Sequence, residues 1–255
     1  TILQGDWSSD VCSSDLNALN EPLKLDTTPF RARRERLLAH MVANGGGVAI
    51  LPTAPERARN RDTHYPYRHD SYFYYLTGFH EPEAVLVLVA GATPKQILFC
   101  RQKDEEREIW DGFRYGPEAA AALFGFDEAW TIGDLERRLP DFLANQPMLW
   151  CGLGYDNDWD GKVMSALNTV RANARTGITP PHSVRDLRAE LDEMRLIKDT
   201  SEIALMRRAG QISAEAHCRA MQQTRPGRHE YEIEAELLRT FRAAGSQAPA
   251  YTSGR

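Results

Sequence analysis

Histidines, cysteines and acidic residues are the side chains of this 255-residue chain that could take part in catalysis or metal binding. The seven histidines are His40, His64, His69, His80, His182, His217 and His229. None belongs to an HExxH pair, and none lies beside a cysteine or a second histidine at the spacing typical of a zinc site. A serine hydrolase is not indicated either, because the sequence contains no GxSxG motif. These residues by themselves predict neither a metal site nor a catalytic nucleophile.

The composition is that of a globular protein, with 42% hydrophobic and 26% charged residues. The net charge of -5 argues against a nucleic-acid or acidic-membrane partner. The arginine-rich run 31–36 is the one exception, and we expect it to be a solvated helix face. No apolar run approaches the ~20 residues of a membrane span, and no signal peptide is recognisable. The four cysteines form no CxxC pair, which is typical of reduced thiols in a cytoplasmic protein.

Short apolar runs alternate with amphipathic runs between residues 17 and 180, which indicates an α/β domain built in layers. Thr28-Pro29 supplies a helix N-cap followed by a proline in the first turn. The apolar run 84–89 predicts a buried strand, paired as a hairpin with a strand at 96–100. Acidic residues 104–108 are expected to form a solvated loop that leads into a turn. Further helices are predicted from Pro117, Asp134 and Asp158, and further strands at 48–51 and 148–150.

The paired prolines Pro180 and Pro181 predict a domain boundary. Only helices are predicted after them, including one opened by the capping box Asp199-x-x-Glu202. Residues 1–16 carry a tandem Ser-Ser-Asp and resemble a translated adapter, so they are left out of the fold. The last residues contain no terminating element, which suggests an incomplete reading frame. We therefore expect an adapter-like segment at 1–16, an α/β domain at 17–180 and a truncated helical domain at 181–255.

Several motifs of this sequence resemble bacterial Xaa-Pro aminopeptidase, also called aminopeptidase P. The N-terminal domain of that family is matched by Tyr65-Pro-Tyr-Arg, by Tyr72-Phe-Tyr-Tyr-Leu-Thr-Gly-Phe79 and by Glu81-Pro-Glu-Ala-Val-Leu-Val-Leu88. The later matches are Glu108-Ile-Trp-x-Gly112, Glu193-Met-Arg-Leu-Ile-Lys198 and Met206-Arg-Arg-Ala-Gly-Gln-Ile212. The resemblance runs in order over residues 28–252.

The resemblance implies a creatinase-like N-terminal α/β domain, with a mixed sheet flanked by helices, followed by the truncated helical start of a pita-bread α+β domain. In this family the pita-bread domain holds two metal ions, usually Mn²⁺, that activate water to hydrolyse the bond before a proline in second position. The ligands are two Asp, one His and two Glu, a set that suits such ions. The resemblance places them all beyond residue 255. We therefore predict no metal ligand and no catalytic residue in this chain, and no activity of the chain alone.

Four residues match positions that border the substrate site in this family. Asp62 matches a carboxylate presented to a neighbouring subunit, and Trp110 matches an aromatic residue near the substrate, where apolar surface suits a proline ring. Arg175 matches an arginine that binds a peptide carboxylate or carbonyl, and Tyr251 matches a tyrosine close to the metal centre. The simpler interpretations are, in the same order, a turn acid, a core residue, a surface charge and a frayed chain end.

The function implied by the resemblance is that of a cytoplasmic aminopeptidase that releases the N-terminal residue from peptides with proline in second position. The resemblance also implies a homodimer or homotetramer at full length. A non-catalytic creatinase-like scaffold or binding protein is the alternative, because a fold does not fix a function. The dipeptidase or creatinase branch is a third possibility, although the tyrosine-rich motifs fit aminopeptidase P better.

Overall fold

The computed structural model describes residues 26–249, which form two compact units. The adapter-like residues 1–16 and Tyr251 lie outside this described part. In chain order the elements are α1 (Thr28–Ala43), β1 (Gly47–Pro52), α2 (Ser71–Thr77), β2 (Val85–Ala90), β3 (Lys95–Cys100), α3 (Glu105–Asp111), α4 (Gly116–Phe124), β4 (Glu128–Thr131), α5 (Leu135–Leu143), β5 (Met148–Trp150), α6 (Asn157–Ala172), β6 (Ser183–Arg185), α7 (Leu187–Leu196), α8 (Thr200–Gln223) and α9 (Glu230–Ala243). The first unit ends at Leu191, inside α7, and the second begins at Asp192.

A six-stranded mixed sheet forms the centre of the first unit, with the strand order β4-β3-β2-β1-β5-β6. Strand β2 runs antiparallel to both of its neighbours, whereas the other paired strands are parallel. Strands β1, β3, β4, β5 and β6 therefore end at one edge of the sheet, called the carboxyl edge below, and β2 begins there. The mixed sheet flanked by helices that the sequence predicts is confirmed.

The core lies on both faces of the central strands. Leu139, Val163 and Leu167 bring α5 and α6 against the face of the sheet that carries Ile50 and Val87. Helix α1 packs against β2 and α2. The apolar face that the sequence predicts for this helix is buried and consists of Phe30, Leu37, Leu38 and Met41. Because most residues of β2 are buried, side chains on both of its faces are covered, as expected for an unbroken apolar strand.

Two arginines of α1 are buried, so the prediction of a solvated basic face is wrong for Arg33 and Arg34. Arg34 is 0% exposed. Its guanidinium donates to the backbone oxygens of Leu76, Phe124 and Gly125, each at 2.9 Å. These oxygens lie at the C-terminal ends of α2 and α4, where carbonyl groups lack partners within the helix and favour a cation. Two helix ends thus supply the acceptors that a buried guanidinium needs.

The Arg34 side chain also reaches the sheet. Its Nε donates to Oε1 of Gln96 on β3 at 2.6 Å, and its guanidinium lies 4.3 Å from the centre of the Phe126 ring. Burial lowers the pKa of Arg34 to about 10. The guanidinium of Arg33 donates to the backbone oxygen of Tyr75 at 3.1 Å. The two arginines therefore connect α1 with α2, α4 and β3.

Residues 104–108 do not form the predicted loop. Asp104 accepts the backbone N–H of Arg107 at 3.0 Å and caps α3. Three glutamates occupy the first turn, where negative charge is favoured by the helix dipole. The charged residues 104–108, for which the sequence indicates a solvated loop, thus form the N-terminus of a helix.

Strands β4 and β6 were not predicted. Both are short, and Ser183–Arg185 contains a single apolar residue, so no alternation of apolar and polar residues marks it in the sequence. Strand β6 pairs in parallel with β5. Residues 183–185 therefore complete the sheet of the first unit, although they follow the predicted boundary at residue 180.

The second unit contains α8 and α9. The predicted capping box at Asp199 and Glu202 is present at the start of α8. Of the apolar face that the sequence predicts for this helix, Ile212, Ala216 and Ala220 are buried. Leu205 and Ala209 of the same face are exposed, so the prediction is wrong for these two residues. Within residues 26–249, no helix has both the length and the hydropathy needed to span a bilayer.

Replacing Arg34 by methionine tests the buried guanidinium. We expect Arg34→Met to lower the free energy of unfolding by about 3 kcal/mol or more, because several buried carbonyl oxygens lose their donor. Urea denaturation gives this value. The matched control is Arg31→Met on the same helix, which removes only an exposed ion pair with Glu35 and should cost less than about 1 kcal/mol. Equal losses in the two variants would contradict the role of Arg34.

Candidate functional site

Three buried polar side chains meet the carboxyl edge of the sheet. Thr53 follows β1, Glu81 precedes β2 and Arg101 follows β3. Neighbouring strands β1, β2 and β3 bring these three positions side by side, because their registers pair Pro52 with Val85 and Val85 with Phe99. Buried polar groups at the ends of neighbouring strands mark this edge as the candidate site.

Glu81 is the central acid of this edge. It is 3% exposed, and burial raises the pKa of its carboxyl group, against the opposing effect of the Tyr115 N–H and Arg101. Its Oε1 accepts the backbone N–H of Tyr115 at 2.8 Å. Its Oε2 lies 3.5 Å from a guanidinium nitrogen of Arg101. The carboxylate therefore joins the end of β3 to the segment that precedes α4.

Thr53 fixes the start of α2. Its hydroxyl lies 2.8 Å from the Tyr67 hydroxyl and accepts the backbone N–H of Asp70 at 3.3 Å. The Asp70 carboxylate in turn accepts the N–H groups of Tyr72 and Phe73, each at 2.9 Å, and so caps α2. The aromatic motif of the sequence is thus a short helix held at the carboxyl edge.

Asp62 lies on an exposed hairpin that extends from the loop between β1 and α2. An isolated antiparallel bridge between Ala58 and His64 closes this hairpin. The Asn60 side chain accepts the N–H groups of Asp62 and Thr63, each at 2.9 Å, which forms the tight turn. Asp62 itself is exposed. The structure places it in a turn, as the simpler interpretation expects, and leaves it accessible to a ligand.

Trp110 lies on α3, in the connection that follows β3. It is 86% exposed, so the simpler interpretation of a core residue is wrong. Ile109 and Phe113 beside it are also exposed. An exposed cluster of large apolar side chains is typical of a binding surface.

Arg175 lies elsewhere. It occupies a single exposed turn, Ala174–Thr176, after α6. The chain then reaches Thr179, whose backbone oxygen accepts the N–H of Asn145 at 2.7 Å, just before β5 begins. Arg175 therefore belongs to the connection at the amino ends of β5 and β6. Asp62 and Trp110 both emerge from the carboxyl edge, whereas Arg175 does not join them, and Tyr251 lies outside the described residues.

Two family comparisons cover different parts of the chain. Residues 30–150 match the family described as "Aminopeptidase P, N-terminal domain". Residues 204–254 match "Metallopeptidase family M24". The first range contains the sheet up to β5, and the second begins within α8.

Full-length relatives match the chain across both ranges. The Xaa-Pro aminopeptidase of Escherichia coli is 39% identical over 226 residues, which cover 88% of this chain and 51% of the relative. That of Haemophilus influenzae is 39% identical over 231 residues, with 90% and 51% covered. This chain is similar in sequence to the aminopeptidase P family over most of its length. It spans about half the length of the curated relatives that it matches.

Solved structures of the family have the same fold. Aminopeptidase PepP of Pseudomonas aeruginosa has a TM-score of 0.85 and 42% identity, covering 89% of this chain and 51% of that chain. A substituted E. coli aminopeptidase P in complex with substrate has a TM-score of 0.85 and 39% identity, covering 89% and 52%. The creatinase-like domain and the start of the metallopeptidase domain are therefore both present.

The aminopeptidase P family implies a metal centre, but the described residues do not supply one. Within residues 26–249, no group of three or more His, Cys, Asp and Glu side chains is arranged to hold a metal ion. A cysteine nucleophile is not favoured either at Cys100 or Cys151, because burial raises the pKa of each thiol to about 12. In the described part, the candidate site can position side chains and present an acid and an aromatic ring.

The buried pair of Glu81 and Arg101 was missed at the sequence level. The available signal was the position of Glu81 in a long family-like motif directly before a buried strand. Its partner lies 20 residues later, at the end of the next strand. Only the pairing of β2 with β3 brings the two together.

His69 makes the first unit sensitive to acid. Its ring stacks on Tyr74, with the ring centres 4.2 Å apart. Burial, together with the smaller effects of the charges of Arg68 and His80, lowers the pKa of His69 from 6.5 to about 4. The unfolded chain therefore binds a proton at this histidine more readily than the folded chain.

The stability contributed by neutral His69 is complete above pH 6.5 and declines as the pH falls from 6.5 towards 4. We expect His69→Gln to lose less stability than the parent chain over this interval. Urea denaturation at several pH values measures the difference. The control is His64→Gln, an exposed histidine of the same loop, which should follow the parent. Parallel curves for His69→Gln and the parent would refute this assignment.

Proposed function

We propose that this chain forms the N-terminal domain and the opening of the catalytic domain of a metal-dependent aminopeptidase. Its substrates are peptides with proline in second position, from which it releases the first residue. The observation that supports this proposal is the 39% identity to the E. coli Xaa-Pro aminopeptidase over 88% of this chain. The proposed domains are residues 17–180 and 181–255. The two family matches end at 150 and start at 204, whereas β6 at residues 183–185 still belongs to the sheet of the first unit.

The metal centre of this proposed enzyme needs ligands that the described residues lack. We place the two Asp, one His and two Glu of the family, and the two Mn²⁺ ions that they hold, outside this chain. The match to the metallopeptidase family over residues 204–254 supports a metal-dependent reaction. When bound, two such ions activate water for attack on the peptide bond. The described residues contribute to the site only by positioning and binding.

The proposed substrate-binding residues are Asp62, Trp110, Arg175 and Tyr251. The first two are exposed on connections that emerge from one edge of the sheet. The exposure of Asp62 supports a role at the site of a neighbouring subunit in a homodimer or homotetramer, and the exposure of Trp110 supports a contact with the substrate. Arg175 is exposed on the opposite connection, so its role requires contact with a different part of the assembled enzyme. We propose a cytoplasmic location, supported by cysteines that the sequence does not pair.

The first test uses the chain as it is. We expect no release of the first residue from a peptide with proline in second position when the purified 255-residue chain is incubated with Mn²⁺. The reason is that the chain is proposed to lack the ligands of both ions. Amino-acid release is measured by chromatography. Turnover that disappears with a chelator and returns with Mn²⁺ would contradict the proposal.

The second test restores the missing half. A chimera joins this chain, at the end of its matched segment, to the remaining half of the E. coli Xaa-Pro aminopeptidase. We expect Mn²⁺-dependent hydrolysis, and we expect Trp110→Ala to lower kcat/KM about tenfold, mainly through KM, because one aromatic contact with the proline ring is lost.

The matched control in the chimera is Ile109→Ala. Ile109 is the neighbouring residue on α3 and is 79% exposed, so its truncation tests the effect of removing any apolar side chain from this helix. We expect a change of less than about twofold, since a substitution on an exposed surface has a small effect. Equal losses for the two variants would argue against a specific role of Trp110.

A further inference from the structure

The connection between β3 and α4 carries the exposed aromatic cluster but has little contact with the core. We call residues 102–114 the α3 arm. Of the seven residues of α3, all within the described part of the chain, none is buried. Ile109, Trp110 and Phe113 of this arm are all exposed. Core packing of α3 therefore does not determine where Trp110 lies.

The α3 arm is closed on itself by one carboxylate. Oε1 of Glu108 accepts two hydrogen bonds. One comes from Nζ of Lys103 at 2.6 Å and the other from the backbone N–H of Arg114 at 2.8 Å. Arg114 also pairs with Asp111 at 2.6 Å. Lys103 lies 4.3 Å from the centre of the Phe113 ring. These contacts join Lys103, near the start of the arm, to Arg114 at its end.

The two residues that flank the arm are held by a different carboxylate. Arg101 precedes the arm and Tyr115 follows it. The backbone N–H of Tyr115 donates to Oε1 of Glu81 at 2.8 Å, and the Arg101 guanidinium lies 3.5 Å from Oε2 of the same carboxylate. The two ends also approach each other closely. Gly116 has φ +72°, and a Cβ built on it would lie 3.0 Å from Cβ of Lys103. The base of the arm, formed by Arg101, Tyr115 and Glu81, therefore brings the two ends of the connection close together.

The contact at the base is buried, so removing one partner leaves the other without its counterpart in low-dielectric surroundings. The side chains of Glu81 and Arg101 are 3% and 8% exposed, and hydrogen bonds to a charged group gain strength in such surroundings. The Tyr115 ring packs against Phe79 and Phe124, with ring centres 5.8 and 5.2 Å away. The base of the arm is thus fixed to the core, whereas the arm itself is exposed.

We propose that Glu81 is a positioning residue for Trp110, because it holds both ends of the α3 arm at the carboxyl edge. Removing its carboxylate frees the arm to move relative to the sheet, while Glu108 keeps the arm folded. The contact of Trp110 with a peptide rests on the proposed function. The positioning of Trp110 by Glu81 does not, so it can be tested on this chain without any activity.

The experiment is hydrogen–deuterium exchange on the 255-residue chain and its variants. In Glu81→Ala we expect the amides of residues 103–115 to exchange about tenfold faster or more, because Tyr115 loses its acceptor. The amides of β1 and β2 should exchange as in the parent. Glu81→Gln keeps an oxygen that can accept the Tyr115 N–H, so it should restore most of the protection. The control Glu106→Ala removes an exposed carboxylate from the first turn of α3, so it should accelerate exchange within α3 by less than about fivefold and leave the Tyr115 amide unchanged.

A second readout follows the Trp110 ring directly. With fluorotryptophan incorporated, the resonance that is lost in Trp110→Phe reports on this side chain, and we expect it to narrow in Glu81→Ala as the arm becomes mobile. Unchanged exchange in the arm together with an unchanged linewidth would overturn the proposal. Equal acceleration of the arm and of β1 and β2 would also overturn it, because Glu81 would then stabilise the whole unit and not position the arm.

Discussion

The guanidinium of Arg34 is enclosed between the C-terminal ends of α2 and α4, and it donates to carbonyl oxygens of both. A buried cation is costly unless every hydrogen bond is made, so the two helix ends and the cation can only be placed together. Residues 78–84 then lead from α2 into β2, and residues 125–127 lead from α4 into β4. Arg34 thus contributes to the position of Glu81, which follows α2, and of α4, which follows the α3 arm.

A second buried charge acts at the carboxyl edge. Glu81 binds both flanks of the α3 arm, and the arm presents Trp110 to solvent. The two buried charges differ in what they determine. Arg34 determines how helices pack on the sheet, whereas Glu81 determines where an exposed connection leaves it. In the proposed enzyme, the first unit provides a rigid support for side chains that reach a substrate, and the metal ions are bound by residues outside this chain.

Much of the fold could be predicted from periodicity and capping, because α1, the β2–β3 hairpin and the capping box of α8 are each encoded within a few neighbouring residues. What could not be predicted depends on distant partners. The arginines of α1 look like a surface run until the ends of α2 and α4 are placed beside them. Strand β6 is recognisable only through its pairing with β5. For the site, the resemblance singled out Asp62 and Trp110, whereas Glu81 became evident only from its contacts.

In the proposed enzyme, the first unit holds Trp110 where a bound peptide contacts it. The most direct measurement is photocrosslinking in the chimera with the E. coli catalytic half, using p-benzoylphenylalanine in place of Trp110 and a labelled, slowly hydrolysed peptide with proline in second position. We expect a covalent adduct with the labelled peptide, and we expect excess unlabelled peptide to suppress its formation. A chimera that hydrolyses its substrate but forms no such adduct would contradict this placement of Trp110.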